Sequence, residues 1–251
     1  MFGNVDVQPN NKKREGDCDM YKLTMEVEPK NDFTLKQSYE KISELIRKFI
    51  VMNEKELSKN HYEDVFSYYS FSNPENTKGK TLYEKGQFYT VELKTLQIEF
   101  LDMKLINGIE TQDVKIVSVS GGKLFYKSEG VLVTETPVFM KTKPIRDEEY
   151  KDKVKEKIRE NIVFRYLKSG INSSDDIDYV RENCVKDIEI ADKIVTVPFE
   201  NKKTTTGKPL LYHCLGLKVT FKDNDLAKEV EKIIYASGLG KMTSCGFGYM
   251  K

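Results

Sequence analysis

The chain has 251 residues, of which 39% are hydrophobic and 11% aromatic, so it can bury a core and is not a disordered protein. Its 41 basic and 40 acidic residues nearly cancel, so net charge does not indicate a nucleic-acid partner and any basic surface has to be local. No apolar run is long enough to span a bilayer or to serve as a signal peptide. We therefore expect a soluble protein with a polar, flexible tail over residues 1–20, and the scattered single cysteines favour a cytoplasmic location. Two histidines and four separated cysteines do not have zinc-site spacing, and we expect neither a metal nor a cofactor.

The first half of the chain predicts the element order β-α-β-β-α-β. Residues 21–27 alternate apolar and polar side chains, which is typical of a strand. Apolar residues then recur every three or four positions from Leu35 to Phe49, which predicts a helix with Thr34 as its N-cap. The remaining predicted elements are strands over 65–72 and 86–93, a helix over 93–106 for which a strand is the alternative, and a strand over 111–120 that Gly121 and Gly122 end.

The second half repeats that order, with a domain boundary near Gly122. We predict strand structure over 124–140 with a turn at Gly130, and a long helix over 147–170 that Gly170 ends. A strand pair over 187–200 and 208–221 follows, then a helix over 223–238 capped within residues 223–225 and ended by Gly238, and a last strand over 245–250. The sequence therefore predicts an α+β fold of two tandem ferredoxin-like (βαββαβ, RRM-like) domains, at 21–122 and 123–251.

The chain closes on a glycine-rich stretch, "GLGKMTSCGFGYMK". A dinucleotide-binding loop would have to follow a strand and open a helix, and a Walker A loop would have to end in G-K-[ST], so neither fits. Two interpretations stay open: a helix cap with a tight turn, or a nucleic-acid-binding loop whose glycine N–H groups approach phosphates. Hydroxyl and lysine side chains in the stretch, and the lack of any acidic residue after Glu231, favour the second. The candidate RNA-binding residues of this stretch are Gly238, Gly240, Lys241, Thr243, Ser244, Gly246 and Gly248.

The pattern G-L-G-x5-G-F-G at the end of two such units resembles the signature of the RAMP superfamily of CRISPR-associated proteins, and within it the CRISPR repeat-cleaving endoribonucleases. The resemblance extends over roughly residues 21–251 and includes the aromatic-serine segment "FSYYSFS", the strand "FYTVEL" and the helix "ENIVFRYLK". It implies that the protein binds precursor CRISPR RNA and cuts each repeat once without a metal. A 2′-hydroxyl would attack the adjacent phosphate, leaving a 5′-hydroxyl and a 2′,3′-cyclic phosphate. It also implies other CRISPR effector subunits, or a second copy of this chain, as further partners.

This reaction requires a base, an acid and positive charge near the phosphate. The resemblance implies that His61 is the catalytic histidine, because it lies in a polar segment just before the aromatic-serine strand; the alternative is an exposed loop histidine. Tyr39 matches the tyrosine that the family often places on the first helix, although it falls on the apolar face. The family's lysine follows its histidine, whereas residues 63–64 are acidic here, so Lys59 is the candidate cation. His213 lies in an apolar strand and is expected to be a packed core histidine.

Residues 201–222 contain five lysines and no acidic residue. We expect Lys202, Lys203 and Lys208, in and beside a hairpin turn, to contact RNA phosphates; the alternative is a solvated turn. Residues 77–87 form a second candidate basic loop. Two other functions compete with the endonuclease. A non-catalytic RAMP subunit would hold guide RNA in an effector complex, and a general RRM-type protein would carry an aromatic RNP motif, which this sequence lacks.

Overall fold

The chain is a mixed α+β protein. A computed structural model describes residues 19–53, 68–74, 82–102, 109–140, 148–170, 177–203 and 207–251. These ranges contain ten strands, four α-helices and two 3₁₀ turns. None of those helices is long and apolar enough to cross a membrane. The tail predicted over 1–20 lies outside the described residues, except for its last two.

The N-terminal half contains two antiparallel sheets and one long helix. Its elements are β1 (Met20–Pro29), β2 (Phe33–Thr34), α1 (Leu35–Asn53), β3 (Tyr69–Phe71), β4 (Leu82–Tyr83), β5 (Tyr89–Thr95), a 3₁₀ turn (Ile98–Asp102) and β6 (Val114–Leu124). The larger sheet has the strand order β3-β5-β1-β6, and β2 pairs with β4. The apolar face of α1 packs with this sheet in one hydrophobic core.

Helix α1 begins where the sequence predicts. The Thr34 hydroxyl accepts a hydrogen bond from the N–H of Gln37 at 3.4 Å, and the Gln37 side chain accepts one from the N–H of Thr34 at 2.9 Å. This reciprocal arrangement is a capping box, which satisfies two donors that the start of a helix leaves unpaired. The prediction of Thr34 as the N-cap is confirmed.

Two predictions for this half were wrong. The helix favoured over 93–106 is replaced in its described part by the end of β5 and the 3₁₀ turn, because Leu93 and Thr95 pair with Leu23 and Tyr21 of β1. The alternative, a strand, holds for residues 93–95. The pairing of strands outweighs the local helical spacing there. The strand β6 does not stop at the two glycines either, since Gly121 pairs with Leu23 and the strand runs on to residue 124.

The C-terminal half contains a third sheet and three helices. Its elements are β7 (Val131–Val133), β8 (Val138–Phe139), α2 (Glu148–Lys168), α3 (Ile177–Asn183), β9 (Val185–Lys203), β10 (Pro209–Phe221), α4 (Asp225–Ser237) and a 3₁₀ turn (Thr243–Cys245). Strand β10 pairs with β7, β8 and β9. The helices α2, α3 and α4 pack with this sheet in a second core.

Helix α4 confirms its predicted ends. Asn224, inside the segment 223–225 predicted to supply the cap, accepts a hydrogen bond from the N–H of Ala227 at 2.8 Å, and Gly238 follows the last turn. The last strand predicted over 245–250 was wrong in extent. Only Met250 forms a bridge, with Thr134 on the chain beside β7, because the preceding residues are folded into a tight loop.

A third core joins the two halves, and we call it the junction cluster. It contains side chains from α1, from β8, from the second half of β9, from the first half of β10 and from the C-terminal stretch. Its members are Tyr39, Phe139, Val197, Phe199, Tyr212, Cys214 and Phe247. Because this cluster takes its residues from both halves, the C-terminal stretch is held against the N-terminal half by burial of aromatic surface.

Candidate nucleic-acid interface

The glycine-rich stretch forms a buried loop over residues 238–248, which we call the glycine loop. Its four glycines have φ values of 77°, 87°, 80° and 68°, in the region that side chains avoid. A Cβ on Gly246 would lie 2.8 Å from the ring of Phe71, and one on Gly248 would overlap the carbonyl oxygen of Leu239. The loop therefore requires glycine at these positions both for its backbone conformation and for its packing.

The glycine N–H groups are engaged inside the protein. Gly238 donates to the carbonyl of Ile234 at 2.9 Å, and Gly240 donates to the side chain of Asn161 at 2.8 Å. Gly246 and Gly248 donate to the carbonyls of residues 243 and 137, at 3.0 and 3.1 Å. These four donors fold the loop, so a phosphate on its surface would be bound through other groups.

The surface of the glycine loop lies at its centre. Lys241 is exposed, and Ser244 is half-buried. The N–H of Lys241 donates to the carbonyl of Phe139 at 2.8 Å, which attaches this part of the loop to β8. Thr243 is 1% exposed. Of the predicted polar contacts in the loop, Lys241 and Ser244 are therefore the two that reach solvent.

Helix α2 contacts the glycine loop through Arg165, a residue that the sequence pattern did not identify as functional. The Arg165 guanidinium is buried and donates to the carbonyl of Ser237 at 2.9 Å and to that of Gly240 at 2.7 Å. It also lies 3.4 Å from the hydroxyl of Thr243. Burial lowers the pKa of Arg165 to about 9, so the group is still protonated at neutral pH. A sequence signal existed: an arginine three residues after Ile162 falls on the apolar face of the helix.

The N-terminal half contacts the loop through α1 and β3. The hydroxyl of Ser43 donates to the carbonyl of Ser244 at 3.2 Å, and the hydroxyl of Ser70 donates to the carbonyl of Ala236, near the end of α4, at 3.0 Å. The same two elements bound the segment that carries two predicted catalytic residues, His61 and Lys59. Both residues lie outside the described part of the chain.

Tyr39, the third predicted catalytic residue, lies in the junction cluster. Its side chain is 4% exposed, and its ring stacks on Phe247 at 4.9 Å with an interplanar angle of 12°. Desolvation raises the pKa of Tyr39 well above its usual value, although a hydrogen bond with Asn73 acts in the opposite direction. The hydroxyl is therefore neutral at physiological pH, and the ring lies against Phe247 of the glycine loop.

His213 is not a core residue, and that prediction was wrong. It alternates along β10 with Tyr212 and Cys214, whose side chains are buried in the junction cluster, so its own side chain faces the other way and is half-buried. Its Nδ1 atom lies 3.2 Å from the hydroxyl of Thr196 on β9. Lys208 is exposed just before β10, while the side chains of residues 202 and 203 lie outside the described ones.

The end of the chain is fixed to β5 beyond the loop. The ammonium of Lys94 donates to the carbonyl of Met250 at 2.8 Å and lies 3.5 Å from the ring centre of Tyr235 and 4.2 Å from that of Tyr249. The Tyr249 hydroxyl donates to Glu92 at 3.0 Å. Burial lowers the pKa of Lys94 to about 7, against the opposing effect of Glu92. The glycine loop is thus held at both of its ends.

Among the described residues, no cluster of three or more histidine, cysteine or acidic side chains has the geometry of a metal site. The arrangement offers a loop that is hydrogen-bonded within the protein, carries an exposed lysine and a half-buried hydroxyl, and contacts both halves. Such a surface suits a phosphodiester backbone, which takes cationic and hydroxyl donors.

No protein-family model matches the sequence, and no curated protein matches it. Solved structures do match over nearly the whole chain. A CRISPR-associated protein Cas6 aligns with 92% of this chain and 98% of its own, at 16% identity and a TM-score of 0.56. A RAMP protein that binds different RNA substrates has the same coverage, at 12% identity and a TM-score of 0.58. The product of a Cas6-related gene from Pyrococcus furiosus gives 16% identity and a TM-score of 0.55. The chain therefore has the fold of Cas6 and RAMP proteins.

Proposed function

We propose that this chain is a metal-independent endoribonuclease of the RAMP superfamily that binds precursor CRISPR RNA and cuts its repeat. The observation that carries the proposal is the fold shared with Cas6 over 92% of the chain. One of the similar structures is a Cas6 product complex, and another is a RAMP protein that binds RNA. The partners that we propose are the repeat RNA and, with it, other CRISPR effector subunits or a second copy of the chain.

The strand orders support the interpretation of two tandem ferredoxin-like domains. The N-terminal sheet places its elements in the order β6-β1-β5-β3, with α1 following the first strand. The C-terminal half has the corresponding order, which is the chain end at Met250, then β7, β10 and β9. Its long helix α2 comes after β7, the first strand of that half, as α1 comes after β1. We propose the domains as residues 21–122 and 123–251.

In the proposed reaction the 2′-oxygen of the RNA forms a bond to the adjacent phosphorus as the bond from phosphorus to the 5′-oxygen breaks. The proton leaves the 2′-hydroxyl, and a proton is delivered to the departing 5′-oxygen, so no metal is required. We assign His61 to proton transfer and Lys59 to stabilisation of the charge on the phosphate. Tyr39, which is neutral and buried, would act as a positioning group rather than as a base.

We propose that the RNA backbone runs over the glycine loop and contacts Lys241 and Ser244, with Lys202, Lys203 and Lys208 as phosphate contacts on the hairpin. The four glycines shape the loop so that these contacts are presented. Support comes from α1 and β3, which touch the glycine loop and also bound the segment that carries His61. A bound RNA and the proposed catalytic histidine would thus share the same two supporting elements.

A second function is favoured by a specific observation. The RAMP protein that binds different RNA substrates matches this chain with a TM-score of 0.58, comparable to the Cas6 structures. A non-catalytic RAMP subunit that holds guide RNA in an effector complex would have the same fold and the same glycine loop. The two functions differ in whether the wild-type protein cuts RNA.

The test uses a labelled CRISPR repeat RNA from the source organism, incubated with excess protein and EDTA. We expect one cut per repeat with a cyclic phosphate end, and a loss of about 10²–10⁴-fold in the single-turnover rate for His61→Ala. His213→Ala, which changes the chain's other histidine, is the matched control and should cut at nearly the wild-type rate. Tight binding without cleavage by the wild type would support the non-catalytic subunit. Cleavage that survives in His61→Ala would remove the assignment of that residue.

A further inference from the structure

The glycine loop depends on a part of the chain that is far from it in sequence. Arg165 lies on α2 and contacts three separate parts of the loop region. These are Ser237 at the end of α4, Gly240, and Thr243 in the 3₁₀ turn of the loop. We propose that Arg165, together with Asn161, is the positioning residue that presents Lys241 to RNA. This inference rests on the proposed RNA-binding function of the loop.

The first contact is made at the C-terminus of α4. Ser237 is the last residue of that helix, and its carbonyl accepts from Arg165 at 2.9 Å. The last carbonyls of a helix lack partners within the helix and carry the negative end of its dipole, so a cation there is favourable. Arg165 therefore fixes the point from which the glycine loop departs.

The second contact holds both polar groups of one glycine. The carbonyl of Gly240 accepts from Arg165 at 2.7 Å, while its N–H donates to the Asn161 side chain at 2.8 Å. The same Asn161 oxygen lies 3.3 Å from the Nε atom of Arg165, so the two side chains, one helical turn apart, form a single unit. This pair fixes the peptide groups on either side of Gly240.

Lys241 follows directly after this fixed glycine. Its own N–H is bound to the carbonyl of Phe139 at 2.8 Å, and Thr243, two residues later, lies 3.4 Å from the Arg165 guanidinium. The backbone is thus held before, at and after the exposed lysine. A lysine on a fixed backbone loses less conformational entropy when it binds a phosphate than one on a mobile loop.

The planar guanidinium is needed for this role. It presents donors in a rigid fork and can reach several acceptors at once, whereas a lysine presents its donors from one point. Arg165→Lys therefore keeps the positive charge and removes the simultaneous contacts. Asn161→Ala removes the acceptor that the Gly240 N–H shares with the Nε atom of Arg165, while the arginine and its carbonyl acceptors remain in the chain. These two variants separate positioning from charge.

The experiment is a double-mutant cycle on repeat-RNA affinity. We expect Arg165→Lys to weaken binding about tenfold, and Lys241→Ala to weaken it several-fold in the wild-type background. In the Arg165→Lys background, Lys241→Ala should have little further effect, because the lysine is no longer positioned. Arg159→Lys, on the same helix but paired with Glu156, is the matched control and should bind like the wild type.

Hydrogen exchange gives a second measurement that does not require RNA. The amides of residues 238–246 should exchange faster in Arg165→Lys and in Asn161→Ala, while the amides of β10 should not change. Additive effects in the cycle, or unchanged loop exchange in both variants, would overturn the inference. If the wild type itself fails to bind repeat RNA, the proposed function fails. If the wild type binds repeat RNA and Arg165→Lys binds it equally well, only the role of Arg165 is refuted.

Discussion

The packing of the glycine loop predicts a large and specific cost for Gly248→Ala. The residue has a φ of 68°, and its missing side chain faces the backbone of the same loop. A Cβ there would overlap the carbonyl oxygen of Leu239 and lie 2.9 Å from its carbonyl carbon. Both atoms belong to the main chain, so they cannot move away as a flexible side chain could. The Gly248 carbonyl also accepts from the N–H of Leu239 at 2.9 Å, and that bond would be strained.

The expected magnitude has two parts. A positive φ costs an alanine about 1–2 kcal/mol, and overpacking at a rigid site costs a further 1–3 kcal/mol or so. Gly170→Ala is the control that separates them, because Gly170 has a φ of 74° with nothing within 4 Å of a Cβ. That substitution carries only the conformational cost. We therefore expect Gly248→Ala to destabilise the protein by about 2 kcal/mol more than Gly170→Ala.

Urea unfolding measures this difference. The chain has fourteen tyrosines and no tryptophan, so tyrosine fluorescence and far-ultraviolet circular dichroism are suitable signals. The comparison is the unfolding free energy of each variant against the wild type. Free-energy differences between substitutions are meaningful above about 0.5 kcal/mol. If the two substitutions lower the unfolding free energy by the same amount within that margin, the loop relaxes around the added Cβ. The requirement for close backbone approach would then be wrong.

Two further predictions concern charge. Burial lowers the pKa of Lys94 to about 7 in the folded protein, so the unfolded chain holds the Lys94 proton more tightly than the folded one does. The free energy of unfolding should therefore rise between about pH 7 and 9.5, by up to ~1.4 kcal/mol per pH unit. Lys94→Met should lose this slope in urea unfolding across that range; an unchanged slope would show that the ammonium is not desolvated. Reversing the charge of Lys202 and Lys203 to Glu should weaken repeat-RNA binding at low salt and make its salt dependence shallower. Reversal of Lys153 and Lys157, exposed on α2, is the matched control, and equal losses in both variants would argue against a specific contact.

Several elements could be predicted from the sequence because their signals are local. Helix α1 has an apolar face at helical spacing and a capping box formed by residues three apart, and both are confirmed. Helix α4 likewise has its N-cap and its terminal glycine within its own sequence. In such segments the residues that decide the structure lie within a few positions of one another.

The errors fall where distant residues compete with local pattern. The segment after Leu93 has apolar residues at helical spacing, yet its first residues pair with β1. The last strand is reduced to a bridge at Met250 because the glycine loop takes up the residues before it. His213 follows the alternation of β10, but which face of that strand is covered depends on the junction cluster. In each case the deciding partner is far away in the chain.

For the candidate site, the sequence alone determined that the chain ends in a loop with four glycines, one lysine and no acidic residue. It also determined that only two histidines are available for proton transfer. Only the tertiary structure decided what the glycines do: their N–H groups fold the loop and their missing side chains make room for Phe71, Val138 and the loop's own backbone. It also decided that Arg165 supports the loop. The physical reason is that glycine is required where the backbone has a positive φ and where other atoms pack too closely for a side chain. Here those atoms come from β3, β8 and the loop itself, and Arg165 comes from α2, so the spacing of residues in the sequence does not indicate these contacts.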